Sequence, residues 1–209
     1  MKDKLYKRPL DLAILLSAHL ILFPVWLSLW IIIPILIWLE DRGPVFYTQE
    51  RVGRNGRIFK AYKFRSMIKD AEKESGPVQA VEDDPRVTRV GRILRATAMD
   101  ELPQLVNILK GDMSFVGPRA LRPKEREVHG DPDEIDIEKI AGYHERLEMR
   151  PGLTGIAQVY LPSDAPRWKK FEYDIRYINE HSLLFDLKLI FLSAWITFKG
   201  KWESRQKKV

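Results

Sequence analysis

Two adjacent acids, Asp100 and Glu101, are the residues whose types and position most clearly suggest chemistry. They precede an apolar pattern in which Leu102, Leu105 and Leu109 recur at spacings of three and four, so we expect them at the start of an amphipathic helix. The helix dipole stabilises negative charge in that first turn. An acidic pair there can simply cap the helix, or it can supply carboxylates to a reaction.

Cationic residues elsewhere in the sequence favour a reaction over a cap. Lys63 and Arg65 alternate on a predicted strand, so both should point to one side and meet one anion, although a solvated basic strand would show the same pattern. A carboxylate can attack phosphorus as a covalent nucleophile, while arginine and a hard cation such as Mg²⁺ neutralise charge on phosphoryl oxygens. Together these residues suit phosphoryl chemistry on an anionic substrate.

Composition excludes several other kinds of chemistry. The 209-residue chain has no cysteine, which rules out disulfides, thiolate metal sites and a cysteine nucleophile, and none of its four histidines has metal-ligand spacing. The formal charge of +6 calls for an acidic partner such as a nucleic acid, an anionic lipid or a phosphorylated ligand. We rank a nucleic-acid binder last, because the basic residues are interleaved with acids and no readout motif is present.

A long apolar segment near the N-terminus predicts membrane insertion. Residues 12–39 carry no fixed charge, and this length exceeds the roughly 20 residues needed to span a bilayer core. Pro24 lies in the middle of the segment and should break the helix there. Lysines and arginines flank both ends, so the positive-inside rule places both ends in the cytoplasm. We therefore favour a re-entrant hairpin broken at Pro24 over a single spanning anchor.

The predicted fold class is α+β, a mostly helical monotopic membrane protein with short strands and interfacial amphipathic helices. We divide it into a re-entrant hairpin at residues 1–40 and a cytoplasmic catalytic domain at residues 41–209. Within that domain, Gly111 should end the helix that follows the acid pair.

The other elements of the domain are assigned from their periodicity and turn residues. A Gly-rich turn between the first two strands could cradle phosphate, although such turns more often only reverse the chain. The last helix could lie on the membrane or pack on the core. We expect strands at residues 45–50, 57–64 and 156–160, helices at 86–95, 171–179 and 183–198, a loop at 69–84 and a surface excursion at 121–148.

Six ordered blocks of the sequence resemble the small monotopic phosphoglycosyl transferases, also called bacterial sugar transferases. The resemblance covers nearly the whole chain, and so many blocks in order make it highly specific. The blocks are Lys7-Arg8…Asp11 with Pro24, Pro44-Val-Phe-Tyr-Thr-Gln-Glu-Arg-Val-Gly53, Phe59-Lys-Ala-Tyr-Lys-Phe-Arg-Ser-Met67, Asp100-Glu-Leu-Pro-Gln-Leu-Val-Asn107, Lys110-Gly-Asp-Met-Ser-Phe-Val-Gly-Pro-Arg119 and Arg150-Pro-Gly-Leu-Thr-Gly-Ile-Ala-Gln-Val159.

The resemblance implies a ping-pong transfer of a sugar-1-phosphate from a UDP-sugar to undecaprenyl phosphate, with release of UMP, at the cytoplasmic face of the bacterial inner membrane. By this resemblance Asp100 is the nucleophile that takes the phosphosugar, and Glu101 binds Mg²⁺ or assists the attack of the lipid phosphate. The acid pair would supply the Mg²⁺ ligands. The phosphates and the headgroup would be held by Lys63, Arg65, Arg95, Arg119 and Arg150.

The chain departs from the family pattern at the break of the hairpin. The family has a Ser-Pro pair there, whereas this chain has Phe23-Pro24, so a hydrogen bond from the serine is lost. Two further points stay open: the site could belong to a degenerate scaffold that only binds polyprenyl phosphate, and the surfaces of the hairpin and the last helix could join two copies in a homodimer. The sequence does not reveal which UDP-sugar is used.

Overall fold

Two consecutive apolar helices form the N-terminal part of the protein. The computed structural model describes residues 3–71, 84–127 and 135–209. Helix α1 covers Lys7–Ile21 and helix α2 covers Phe23–Asp41. They are separated at Leu22, whose backbone angles (φ −103°, ψ 22°) are not helical. The break therefore lies two residues before Pro24, because proline is tolerated in the first turn of a new helix but disfavours helix in the residue before it.

The break is held together by a tryptophan rather than a serine. The Trp26 indole N–H donates a hydrogen bond to the Ala18 carbonyl oxygen (3.0 Å), so α2 supplies a donor to the end of α1. The Trp26 ring also stacks on His19, with 4.9 Å between ring centroids and an interplanar angle of 6°. The hydrogen bond that the missing serine would have supplied thus has a counterpart from a residue that sequence analysis did not assign to the break.

One face of the helix pair packs on the rest of the protein. Leu15 of α1 lies in a buried cluster with Phe59 and Ile108, while Ile33 of α2 packs with Phe64. The other face exposes large apolar side chains, and α2 is long and apolar enough to cross a membrane. These exposed side chains include Leu16, Leu20, Ile21, Phe23, Val25, Leu27, Ile31, Ile32, Ile35, Leu36 and Leu39.

Buried polar contacts join α1 to the domain, and we call Lys7, Asp11, Tyr177 and Asp186 the anchor network. Lys7 Nζ donates to the Val116 carbonyl (2.9 Å), to the Tyr177 hydroxyl (2.8 Å) and to Asp186 Oδ2 (3.0 Å). Asp11 Oδ1 accepts hydrogen bonds from a serine hydroxyl (2.8 Å) and a backbone N–H (2.9 Å) at the start of strand β3, Ser114–Val116. The beginning of α1 is therefore fixed to the domain.

Strands β1 (Phe46–Val52) and β2 (Ile58–Phe64) form an antiparallel hairpin, as the sequence predicts to within two residues. The turn uses Asn55 and Gly56 at positive φ. Its N–H groups already have partners, since Asn55 donates to the Leu147 carbonyl (2.7 Å) and Gly56 to the Gly53 carbonyl (3.2 Å). These two N–H groups are therefore not available to a phosphate, which favours the alternative that the turn only reverses the chain.

The acid pair lies between two short helices. Helix α3 (Arg89–Ala96) is capped by the Thr88 hydroxyl, and the chain then turns through Ala98 at φ 54°. A 3₁₀ turn, Met99–Gln104, carries the acids and leads into α4, Leu105–Lys110. The α-helix starts later than predicted because the ring of Pro103 and its missing N–H restrict it to the opening turn. Gly111 ends α4 at φ 89°, as predicted.

The side chain of Asn107 joins α4 to β2. Its Oδ1 accepts from the Tyr62 N–H (3.1 Å) and its Nδ2 donates to the Lys60 carbonyl (2.8 Å). Because Asn107 is fully buried, these bonds have little competition from water. They place the acid pair against the end of β2.

The C-terminal half is largely helical. Strand β3 pairs in parallel with β6 (Gly152–Thr154), and β4 (Arg126–Glu127) pairs with β5 (Ile135–Asp136). The strand predicted at 156–160 is wrong: this segment is helix α6, since a short apolar run does not by itself distinguish a strand from a buried helix. The remaining helices are α5 (Tyr143–Arg146), α7 (Arg167–Glu180) and α8 (Leu183–Lys199).

Helix α8 combines both of its predicted environments. Leu189 and Ile196 are buried in the core, whereas Leu184, Phe191 and Phe198 are more than two-thirds exposed. One face therefore packs on the domain and the other is available to an apolar medium.

The predicted surface excursion contains part of the core. Leu121, Ile137 and Tyr143 pack with Phe171 of α7 in a buried cluster. The surface assignment was wrong for these positions, because isolated apolar residues in an acidic stretch show no periodicity. Residues 128–134, and most of the loop predicted at 69–84, lie outside the described residues.

Candidate active site

Four charged side chains from three elements converge on one buried point. Asp100 and Glu101 are each 7% exposed. Lys63, near the end of β2, places its Nζ 2.6 Å from Glu101 Oε1 and 3.7 Å from Asp100 Oδ2. Arg119, which follows β3, donates from Nη2 to Glu101 Oε1 at 2.8 Å. We call these residues the acid site.

Glu101 is bound to cations. Burial alone would raise its pKa, but the charges of Arg119 and Lys63 and the hydrogen bonds from both outweigh burial and hold the pKa of this carboxyl well below its usual range. Glu101 is therefore ionised at any physiological pH and keeps two cations in place.

Asp100 has a different environment although it is the next residue. Within the described part of the chain its carboxylate makes no hydrogen bond, and its cationic neighbour Lys63 is 3.7 Å away. Burial raises the pKa of Asp100 to about 6, with the negative charge of Glu101 adding to the rise, while Lys63, Arg95 and Arg119 lower it. Asp100 is thus mostly ionised at neutral pH but incompletely solvated, which suits a nucleophile.

The structure separates Lys63 from Arg65. Arg65 donates from Nη2 to the Asp41 carbonyl (2.8 Å) and lies 3.5 Å from the Asp41 carboxylate, at the end of α2. Strand β2 ends at Phe64, so the alternation that predicted a shared side does not extend to Arg65. Arg65 therefore does not share an anion with Lys63 in this structure, and its role as a phosphate ligand stays a prediction.

Two further arginines predicted to bind phosphate, Arg95 and Arg150, lie in different parts of the protein. Arg95, in the last turn of α3, pairs with Glu203 (2.6 Å) and is close enough to Asp100 to lower its pKa. Arg150 instead pairs with Asp3 (2.8 Å) and lies 3.7 Å from Asp11, so it belongs to the base of α1 and not to the acid site. The sequence could not separate them, because each arginine reaches its partner through a long-range contact.

Two arginines that sequence analysis missed, the buried Arg146 and the partly buried Arg51, hold the backbone beside Arg119. Arg146 pairs with Asp174 (2.7 Å) and donates from Nη2 to the Arg119 carbonyl (2.8 Å). Arg51 donates to the Ala120 carbonyl (2.9 Å), and burial, together with the positive charge of Arg119, lowers the pKa of Arg51 to about 10. They orient Arg119, and no sequence signal distinguishes them from surface arginines.

The acid site fits Mg²⁺ only if substrate completes the coordination. Among the described residues no three acids or histidines come together as a metal site. Both cations bind Glu101 through Oε1, so its second oxygen and the Asp100 carboxylate make no hydrogen bond to the described residues. Mg²⁺ is commonly held by one or two carboxylates together with waters and substrate phosphates, and this pair meets that requirement.

Comparison with known protein families identifies the family to which this chain belongs. The pattern of the bacterial sugar transferase family matches residues 2–200. The chain belongs to the bacterial sugar transferase family. It is therefore an enzyme of the class that transfers sugar phosphates, and the acid site lies within the matched region.

Individual relatives carry more specific names. The chain is 41% identical over 194 residues to the exopolysaccharide production protein PSS of Rhizobium leguminosarum bv. phaseoli, covering 90% of this chain and 93% of that protein. It is 37% identical to the UDP-glucose:undecaprenyl-phosphate glucose-1-phosphate transferase of Escherichia coli K12, covering 95% of this chain. It is 42% identical to the UDP-N-acetylgalactosamine-undecaprenyl-phosphate N-acetylgalactosaminephosphotransferase of Aeromonas hydrophila, covering 88% of this chain.

The relatives differ in length and in sugar. The matched segment spans 41% of the Escherichia coli protein and 42% of the Aeromonas hydrophila protein, so the chain corresponds to less than half of each. One is named for glucose and the other for N-acetylgalactosamine. Similarity at this level therefore identifies the class of reaction and leaves the sugar undetermined.

Proposed function

We propose that this protein transfers a sugar-1-phosphate from a UDP-sugar to undecaprenyl phosphate and releases UMP, through a covalent intermediate on Asp100. The observation that carries the proposal is the difference between two adjacent carboxylates. Glu101 is bound by two cations, whereas Asp100 is buried beside a lysine with no hydrogen bond to the described residues. Paired carboxylates whose pKa values are pushed apart are typical of sites in which the two have separate roles.

In the first step an Asp100 carboxylate oxygen attacks the phosphorus that carries the sugar. The new bond is an acyl phosphate between Asp100 and the phosphosugar, and the bond from that phosphorus to the bridging oxygen of the diphosphate breaks. UMP leaves with the bridging oxygen and its electron pair. Lys63 and Arg119 lie beside the acids, so they are placed to neutralise charge on the phosphoryl oxygens.

In the second step an oxygen of undecaprenyl phosphate attacks the same phosphorus. The acyl phosphate bond breaks, Asp100 leaves as a carboxylate, and a diphosphate joins the lipid to the sugar. Glu101 keeps Lys63 and Arg119 in position through both steps. Bound Mg²⁺ would supply further neutralisation of phosphate charge, held by the Asp100 carboxylate and the second oxygen of Glu101.

The lipid acceptor requires a membrane location, which we also propose. The helix pair α1–α2 inserts as a re-entrant hairpin, and the exposed face of α8 lies at the cytoplasmic surface of the inner membrane. Support comes from the break at Leu22, from the apolar side chains exposed on α1, α2 and α8, and from the attachment of α1 to the domain by Lys7. These contacts would keep the acid site at the level of the lipid phosphate.

The covalent intermediate can be tested by intact-protein mass spectrometry. The purified chain is incubated with Mg²⁺ and each of a panel of UDP-sugars, without the lipid acceptor. We expect a mass increase of one sugar phosphate with the correct donor, located at Asp100 by peptide mapping, because the first step does not need the acceptor.

The matched variants are Asp100→Asn and Asp112→Asn. Asp100→Asn should give no adduct while remaining folded and membrane-bound, whereas Asp112→Asn, at the far end of α4, should give the adduct. Absence of the adduct in the wild-type protein, combined with UMP release when undecaprenyl phosphate is added, would overturn the covalent route in favour of direct transfer. Lipid binding with no turnover would support a scaffold.

The hairpin topology can be tested by thiol labelling, since the chain has no native cysteine. Lys4→Cys, before α1, and Arg54→Cys, after α2, should both be protected from an impermeant reagent applied from the periplasmic side. Both should react after permeabilisation. Periplasmic labelling of Lys4→Cys alone would mean that the segment spans the membrane once.

A further inference from the structure

A second concave site lies beside the start of helix α1, and we call it the basal pocket. It has a volume of about 630 Å³ and is formed by the segment before α1, the turn between β1 and β2, and the end of α4. Two carboxylates, Asp3 and Asp112, line it together with more cations, so its formal charge is +4. The cations are Lys4, Arg8, Arg54, Arg57, Lys110 and Arg150.

The basal pocket is distinct from the acid site. None of the four residues of the acid site lines it. Strand β2 connects the two, with Phe59 in the pocket wall and Lys63 in the acid site, and four residues of extended strand cover about 13 Å. Helix α4 likewise begins beside the acids and ends at Lys110 in the pocket. A single phosphate cannot reach both places.

Four of the six cations in the pocket already have structural partners. Arg8 donates to the Ile108 carbonyl (2.5 Å) and the Leu109 carbonyl (2.7 Å), which satisfies the end of α4. Arg54 and Arg150 share the carboxylate of Asp3, at 3.2 and 2.8 Å. Lys4 donates to a backbone carbonyl (2.6 Å). These bonds hold the wall of the pocket in a fixed shape.

The remaining two cations, Arg57 and Lys110, are available to a ligand. Arg57 is exposed and forms no side-chain hydrogen bond or ion pair with any residue that the structure describes. Lys110 is also exposed. Its ammonium donates to the Tyr62 hydroxyl (2.9 Å) and lies 4.8 Å from the centroid of the Tyr62 ring, and it makes no ion pair with the described residues, so two of its three N–H donors remain for a ligand. A preformed cavity with two unneutralised cations is suited to an anion.

Apolar side chains next to the pocket indicate what carries the anion. Leu5 lines it and is 91% exposed, and Leu109, next to Lys110, is 52% exposed. The apolar surface of α1 begins within three turns of Arg8, with Leu16 exposed. A small soluble anion gains no binding energy from these apolar side chains, whereas the glycerol and acyl chains of a phospholipid would contact them.

We propose that the basal pocket binds the phosphate group of an anionic phospholipid, as a site separate from the one that binds the acceptor phosphate. Arg57 and Lys110 bind the phosphate oxygens, and Leu5 and Leu109 contact the lipid beneath the headgroup. The bound lipid would hold the start of α1 at the level of the headgroups. The inference depends on the proposed membrane insertion but not on the covalent step at Asp100.

The test is a binding titration of the full chain in neutral detergent, with dioctanoyl-phosphatidylglycerol as the probe and native mass spectrometry as the readout. The double variant Arg57→Gln/Lys110→Gln removes the two available cations. We expect its affinity for the probe to fall roughly tenfold or more, since each basic residue near an anionic lipid surface strengthens binding appreciably. Dioctanoyl-phosphatidylcholine, which has no net charge, should bind weakly to both proteins.

A matched double variant controls for net charge. Lys169→Gln/Arg176→Gln removes two exposed cations from α7, outside the pocket, and should bind the phosphatidylglycerol probe as the wild type does. Equal affinity of the pocket variant and the wild type would overturn the proposal. Inorganic phosphate that binds as tightly as the lipid, and competes with it, would show a site for soluble anions and would also overturn it.

The same variants separate this inference from the proposed reaction. Arg57→Gln/Lys110→Gln should form the sugar-phosphate adduct at the wild-type level when the donor is supplied without lipid. A normal adduct with unchanged phosphatidylglycerol binding would reject the pocket alone. A missing wild-type adduct with selective phosphatidylglycerol binding would reject the covalent mechanism alone.

Discussion

The acid site and the anchor network are both buried and both pair a lysine with carboxylates, yet their hydrogen bonding differs. In the anchor network Lys7 has three oxygen partners, and Asp186 accepts from Lys7 on one oxygen and from the Tyr177 hydroxyl (2.5 Å) on the other. In the acid site Lys63 binds Glu101 closely, and Asp100 has no hydrogen bond to the described residues. Around Lys7 and Asp186 every charged atom has a hydrogen bond, although the second oxygen of Asp11 has none. The acid site instead leaves a whole carboxylate, that of Asp100, for a ligand.

The difference shows how burial can serve stability in one place and chemistry in another. A buried charge whose hydrogen bonds are complete holds elements together, and here it fixes α1 to α8 and β3. A buried carboxylate with no hydrogen bond to the described residues, and with its lysine 3.7 Å away, is costly to the fold. Its retention is explained if a metal ion binds this carboxylate or if the carboxylate reacts with the substrate.

The largest effect on stability should follow from breaking the anchor network. Lys7→Met leaves the Asp186 charge buried without a cation, and such a loss typically lowers the free energy of unfolding by about 3–5 kcal/mol. For a chain of this size the melting temperature should fall by roughly 10 °C. Thermal unfolding in detergent checks this.

The matched control for that prediction is Lys4→Met, at an exposed lysine that donates to a backbone carbonyl and makes no ion pair with the described residues. It should change the melting temperature by only about 1–2 °C. Replacing both charges, Lys7→Met with Asp186→Leu, should recover part of the lost stability. If Lys7→Met unfolds at the wild-type temperature, the anchor network is not what holds α1.

Glu101→Gln should lower both the turnover rate and, by a smaller amount than Lys7→Met, the free energy of unfolding. The neutral amide keeps the shape but no longer binds Lys63 and Arg119 as a charge, so both cations lose their position. Turnover should fall about 10²-fold, and the free energy of unfolding by about 1–2 kcal/mol because both partners are partly exposed. UMP release and denaturant unfolding measure the two effects.

The control for Glu101→Gln is Glu203→Gln, since Glu203 also pairs with an arginine, Arg95, but is half exposed. That change should leave turnover within a few-fold of wild type. Wild-type turnover in Glu101→Gln would mean that the substrate positions the two cations by itself.

The smallest effect concerns the ionisation of Asp100. Because its pKa is raised to about 6, the carboxyl is neutral and non-nucleophilic below that pH. The rate of adduct formation should therefore be level from pH 7 to 8 and should fall tenfold per pH unit well below pH 6. Rapid-quench measurement of the adduct across this range checks the sign, and a rate that rises on acidification would contradict it.

The same ionisation has a consequence for stability. A carboxyl whose pKa is raised on folding contributes stability that is complete below its unfolded pKa of about 3.9 and is lost as the pH rises through about 6. Asp100→Asn, which is neutral at every pH, should therefore increase the free energy of unfolding at pH 7.5 by about 1 kcal/mol and have little effect near pH 4. A loss of stability at pH 7.5 would mean that Asp100 is well paired in the folded protein.

Local patterns were reliable in several parts of this protein. The β1–β2 hairpin, the end of α4 at Gly111 and the helices α7 and α8 agree with their predictions, because each depends on periodicity or on a residue suited to one backbone conformation. The segment 156–160 was assigned wrongly since a five-residue apolar run has no distinctive period. The order of the motifs also identified the family.

The sequence by itself determined that an acid pair, a broken apolar segment and an excess of cations belong to one protein. Only the tertiary structure decided which cations reach the acids. Lys63 contacts Glu101 across 38 positions of the chain, whereas Arg65, two residues later, turns to Asp41 because strand β2 has ended. The ionisation of Asp100 was decided there too, since a pKa depends on burial and on charges brought together by folding, and neither can be seen in the order of residues.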